Sequence, residues 1–183
     1  MIDELLLTRD DFKPYRDISE NVDLDRLDPW ILEAQKQEMR AFLGPQLYLL
    51  MIDAYPVGGP FPAGRFLELW EGVDVPDRYR FYGLKPAIIY FAYARFLKNQ
   101  KTVVTRFGVR NFDNDTSEQQ ADAATRTRQG EAQSMAVSMQ SDAELFLNDN
   151  RADYPEFIRA NGDQNQKNIY HNVSRGGRWG GLL

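Results

Sequence analysis

Chemistry needs particular side chains at particular spacings, and this chain supplies few of them. It has no cysteine and one histidine, His171. A zinc site of thiolates and imidazoles therefore cannot be assembled, and no Ser-His-Asp relay is expected in the body of the chain. Acids give the remaining options. Asp113, Asp115 and Ser117 have the alternate spacing of a calcium loop, but such a loop needs glycine at its sixth position and a bidentate acid at its twelfth. Glu118 and Ala124 stand there, so these residues are expected to cap a following helix and offset its N-terminal dipole. Glu33 with Glu38, or Asp142 with Glu144, could form an acid–base pair. Nothing in their spacing makes either pair converge, and acids on helices ordinarily form a solvated face.

The glycines at 58, 59 and 64, and at 176, 177, 180 and 181, lack the strand-before, helix-after setting of a phosphate cradle. Arg78, Arg80 and Lys85 alternate with Tyr79, Phe81 and Tyr82. That pattern can stack single-stranded bases, but long cations lying over the entry to a core helix give the same pattern, and we prefer that reading. No catalytic, cofactor-binding or metal-ligating residue is expected, and no enzymatic activity.

The 183 residues carry a net charge of −5. That length fits one domain with an appendage, and the acidic balance argues against a general grip on nucleic acid. Asp3 and Glu4 precede only three leucines, so no export signal is expected. The longest apolar stretch, Pro86 to Leu97, is interrupted by Arg95 and falls short of the roughly 20 residues that span a bilayer. It reads as a core helix, and no membrane partner is expected.

The elements that position these residues are mainly helical. LDPWILEAQKQEMRAFLG reads as a helix capped by Asp28, started by Pro29 and stopped by Gly44 and Pro45. QLYLLMIDAY forms a second helix up to Pro56, the loop PVGGPFPAG follows, and Arg65 to Glu71 gives a third. Leu84 to Asn99 has apolar side chains on every side, so it is expected to be the buried central helix. TVVTRFGVRNF, β-branched and aromatic around Gly108, suits a short hairpin or extended loop.

Ser117 then opens the longest helix, with Gln120 as capping-box partner, running to Asn148. Ala121, Ala124, Arg128, Ala132, Met135, Met139, Ala143 and Phe146 fall on one face of it, a stripe of mostly small residues. Six acids face two arginines between Ser117 and Asp149. A thin stripe buries little area, so the helix either lies close against an aromatic core or shares its face with another subunit.

Beyond Tyr154 and Pro155 the composition changes. Residues 160–183 hold five glycines and four asparagines, and Lys167, Arg175 and Arg178 outnumber Asp163. The fold class expected is all-α: a small helical bundle over residues 1–158, with a flexible, mildly basic arm at 159–183. Ile169, Tyr170, Trp179, Leu182 and Leu183 suit an arm that orders on a partner's surface.

Taken together, LDPWILEAQKQEMRAFLGPQLYLLMIDAY, GLKPAIIYFAYARFLKNQKTVVTRFGVRNF and the long polar helix leading to FLNDNRADYPEF resemble a head–tail connector of tailed phages. More narrowly, they resemble connector-like proteins of Bacteroides-type phages and prophages, over roughly residues 5–158. The resemblance implies a virion adaptor, made in the bacterial cytoplasm, that assembles as a ring, commonly a dodecamer. It would sit beneath the portal protein and dock tail or further connector proteins, leaving a channel in which DNA is only passing cargo. An acidic wall would let DNA slide. Arg106, Phe107 and Phe112 on the extended segment, and Tyr170, Trp179 and Leu182 on the arm, are the expected partner contacts. The rival expectation is a cytoplasmic helical module that binds and regulates another protein through the same arm.

Overall fold

The computed structural model describes residues 5–15, 24–56, 60–75, 78–99, 102–105, 108–111 and 118–157, with backbone alone at 24–25, 102–105, 108–111 and 118–122. Six helices carry the fold: α1 (Leu24–Ala34), α2 (Arg40–Leu43), α3 (Pro45–Ala54), α4 (Arg65–Glu71), α5 (Lys85–Asn99) and α6 (Glu118–Asp149). Two antiparallel hairpins accompany them, β1 (Val73–Val75) with β2 (Tyr79–Phe81), and β3 (Thr102–Thr105) with β4 (Gly108–Asn111). The expected helical bundle with one buried helix, one long helix and a short hairpin is the architecture found.

Helix α5 is the centre of the molecule. Nine of its fifteen residues are buried, from Pro86 round to Leu97, because helices and loops cover it on all sides. The long helix α6 makes the most extensive contact with it. Ala132, Ala136 and Ala143 are fully buried, and their small side chains let the two helices approach closely. Phe146 completes the face by stacking on Phe81 of β2 at 4.3 Å between ring centroids and 13° between planes. The stripe differs from the expected one: Ala136 and Leu147 replace Ala124, Arg128 and Met135, which are exposed. The buried positions centre about 80° away from Met135, so one side of the helix takes all the packing and Met135 is left at its border.

The two helices run antiparallel, since Lys98 and Asn99 border a cavity together with Gln129 and Gln133 while Phe146 stacks near the start of α5. At 1.5 Å per residue α6 is about 48 Å long and α5 about 22 Å. The first turns of α6 therefore run past the end of α5, and none of residues 123–130 is buried.

One expectation about boundaries fails, and the expected stop at Gly44 holds with a refinement. Pro29 does not start the first helix but stands inside α1, which begins at or before Leu24. A proline in a helix interior costs about 3 kcal/mol, but in the second turn it removes only one backbone bond. Leu27, fully buried one turn before Ile31, keeps the helix going through it. The break after α2 is made by Gly44 at φ 79°, and Pro45 is not a stop but the first residue of α3, where its missing N–H costs nothing.

The β1–β2 hairpin was not expected. Its stem is closed by Gly72 and Gly83, at φ 92° and 83°, which face each other so closely that a Cβ on Gly72 would lie 2.2 Å from the Phe81 carbonyl oxygen. A Cβ on Gly83 would lie equally close to that of Trp70. Only glycine fits both the space and the backbone angle.

Candidate interaction surface

The six residues expected to meet partners, Arg106, Phe107, Phe112, Tyr170, Trp179 and Leu182, lie outside the described residues, as do the arm at 159–183 and the calcium-like trio Asp113, Asp115 and Ser117. The structure places the other candidates. Glu33 and Glu38 do converge, and the group between them is a guanidinium. Arg95 Nη1 donates to Glu33 at 2.8 Å, and its Nε and Nη2 both donate to Glu38, while Nη2 also donates to Gln37.

Helix geometry explains the convergence. Residues 35–39 form a π turn between α1 and α2. In an unbroken α-helix Glu38 would point about 140° away from Glu33. The wider π turn swings it back onto the same side. Gln35, fully buried, uses the same irregularity to accept a hydrogen bond from the Leu6 N–H at 3.0 Å, tying down the N-terminal segment. The two acids are thus a charge clamp on α5, not a general acid and base. Asp142 and Glu144 do not converge, because positions two apart lie on opposite sides of α6.

The basic and aromatic cluster is also absorbed. Arg78 and Tyr79 both donate to Asp149 of α6, at 3.3 and 3.1 Å. Burial and that hydrogen bond push the Tyr79 hydroxyl above its usual pKa. Arg80 pairs with Asp74 across the hairpin. Lys85 bridges Asp11 at 2.9 Å and Glu71 at 3.1 Å. Burial works to raise the Asp11 pKa, but hydrogen bonds from Lys85 and Thr8 outweigh it and hold the carboxyl below its usual value. These cations join elements instead of lying free for bases to stack on.

The closing YPEF sequence forms a clasp on α4. Tyr154 is buried and its hydroxyl donates to the Arg65 carbonyl. Glu156 takes the Arg65 guanidinium in a two-pronged bond of 3.0 Å each, which holds its carboxyl below the usual pKa. Phe157 packs on Phe42 at 5.7 Å.

Large apolar or aromatic side chains stay exposed in three places: Tyr82 of the basic and aromatic cluster is 58% exposed, with the Arg80 guanidinium 5.6 Å over its ring, and two helices carry the other five. Leu49 and Leu50 lie 46% and 37% exposed on α3. Met135, Val137 and Leu145 lie 42%, 50% and 50% exposed on α6. Sequence reasoning took Met135 for the packed stripe and did not single out the other four. The available signal was the alanine face: once Ala132, Ala136 and Ala143 are set inward, Val137 and Leu145 must face out.

Residues 59–167 match the model of DUF6712, a family of unknown function. The chain belongs to that family. The matched stretch takes in α4, both hairpins, α5 and α6, together with the clasp and the first residues of the arm, so the α5–α6 pair is its shared centre. No curated protein and no solved structure matches the chain.

Proposed function

We propose that the protein is a structural part of a phage virion, a head–tail connector that assembles as a ring beneath the portal, docks the tail and leaves a channel for DNA. The observation that carries this reading is the exposure of large apolar side chains on two separate helices, Leu49 and Leu50 on α3 and Met135, Val137 and Leu145 on α6. A ring is built from heterologous contacts, in which one face of each subunit meets a different face of the next. Two apolar faces on one small body suit that arrangement. None of residues 123–130 at the start of α6 is buried, which leaves further surface for the docking of another protein. The titratable residues add support, because the converging acids Glu33 and Glu38 are occupied by Arg95 and serve packing. The sequence resemblance supplies the phage setting.

Light scattering on the purified chain, alone and mixed with a portal protein from the same genome, tests the reading. A ring-sized assembly in either sample is the expected result. A strict monomer that binds neither portal nor tail protein would end it, and a monomer that instead binds a single regulatory target would favour the rival module.

A further inference from the structure

The exposed side of α6 carries a regular row: Glu131, Met135, Ser138, Asp142, Leu145 and Asp149, spaced alternately four and three residues apart. Such spacing puts all six on one strip of the helix. Acid alternates with apolar or small side chains along it. At the far end Asp149 is already occupied, by the basic and aromatic neighbours Arg78 and Tyr79. Glu131 and Asp142 have no ion pair or hydrogen bond among the described residues, and Met135 and Leu145 between and beside them are exposed.

We propose that this row is the seat of the C-terminal segment, residues 158–183, of a neighbouring copy of the chain. The segment has the matching chemistry. Lys167, Arg175 and Arg178 outnumber Asp163, and Ile169, Tyr170, Trp179 and Leu182 are spread among them. Arg178 followed by Trp179 repeats the basic–aromatic order of Arg78 followed by Tyr79, the pair that occupies Asp149. On this proposal Arg178 would pair with Asp142 as Arg78 does with Asp149, and Trp179, which lacks the hydroxyl that Tyr79 donates, would instead cover Leu145 or Met135.

Reach is ample. The segment starts at the Phe157 clasp, and twenty-odd extended residues span about 70 Å, whereas Leu145 to Glu131 is about 21 Å of helix. The inference rests on the self-association proposed above and names what covers the α6 face in it; an assembly without this crosslink would overturn the seat alone, whereas a strict monomer would overturn both.

The absence of cysteine allows a clean trap. In the full-length protein, Trp179→Cys is paired with Met135→Cys or Leu145→Cys, and with Leu49→Cys on α3 as the control apolar site, and disulfide formation is timed under a mild oxidant. The expected result is crosslinking to α6 at least tenfold faster than to Leu49→Cys. Adding Glu131→Lys with Asp142→Lys, or raising the salt to about 0.5 M with the row unchanged, should slow it at least tenfold, since the attraction is between exposed charges. An interchain ladder is the expected product, and a wholly intrachain product, which would put the segment on its own copy, would overturn the proposal. Equal rates at α3 and α6 would overturn it. So would faster pairing of Met135→Cys with itself between copies, which would make a second α6 the occupant.

Discussion

Arg95 shows how a single side chain sets the fold's tolerance. It is a quarter exposed and holds Glu33, Gln37 and Glu38 to the central helix. Replacing it with methionine keeps the stem but leaves two acids facing each other without a cation, and we expect a loss of about 1–3 kcal/mol in chemical denaturation, below the fully buried case because solvent screens part of it. Gly72→Ala and Gly83→Ala should each cost more than about 2 kcal/mol, since a positive backbone angle and a carbonyl at 2.2 Å oppose the new methyl together. The pH profile follows from the same ion pairs. Asp11 and Glu156 have folded pKa values below their ordinary 3.8 and 4.5, so the stability they contribute is complete above those values and is lost as the pH falls below them. Lys85 is raised above 10.5 despite burial, because Asp11 and Glu71 favour its charged form, so its contribution is lost only as the pH rises through and above that value. Thermal melts across the pH range should show a plateau between these limits, with Lys85→Met weakening the alkaline edge, to which the raised hydroxyls of Tyr15, Tyr79 and Tyr154 also contribute. Little of this was legible in the sequence. The π turn that gathers Glu33 and Glu38 leaves no mark in residue types, and Arg95 reads only as an interruption in an apolar run until its partners are placed around it.

Elements were easier to read, because helix periodicity and breakers act locally. The limits of α4 and α5 follow from Gly64, Gly72 and Asn99, and the all-round apolar character of α5 states its burial directly. Pro29 misled because a local start signal was outweighed by the burial of Leu27 in the turn before it. The β1–β2 hairpin was missed because three-residue strands have too short a pattern to stand out, and because its two essential glycines are eleven residues apart in sequence. At this scale the close approach of α5 and α6 can be tested. Ala136→Leu should force the helices apart and cost about 1–3 kcal/mol by overpacking. Leu145→Asp, on the exposed side, should leave monomer stability within about 0.5 kcal/mol. Phe146→Ala should cost about 3–5 kcal/mol, since that ring joins β2, α6 and Tyr154 at once.

For the whole molecule, the uneven division of charge gains meaning from the fold. The acids of α6 that have partners, such as Asp149, hold the hairpin in place, while Glu131 and Asp142 remain outside with Met135 and Leu145. The surface so formed is weakly sticky and negative, suited to a partner and unsuited to gripping DNA. None of the partner residues expected on the extended segment and the arm falls among the described residues, and the surface that does emerge, on α3 and α6, could be found only after the helices were packed. Leu49→Asp combined with Leu145→Asp should therefore leave a folded monomer while abolishing assembly. The most direct test of the connector account is electron microscopy of the purified full-length chain, alone and with its portal protein. Closed rings with a central channel are the expected result. A chain that stays a single copy of about 21 kDa when alone and adds no density to the portal particles when mixed with them would contradict it.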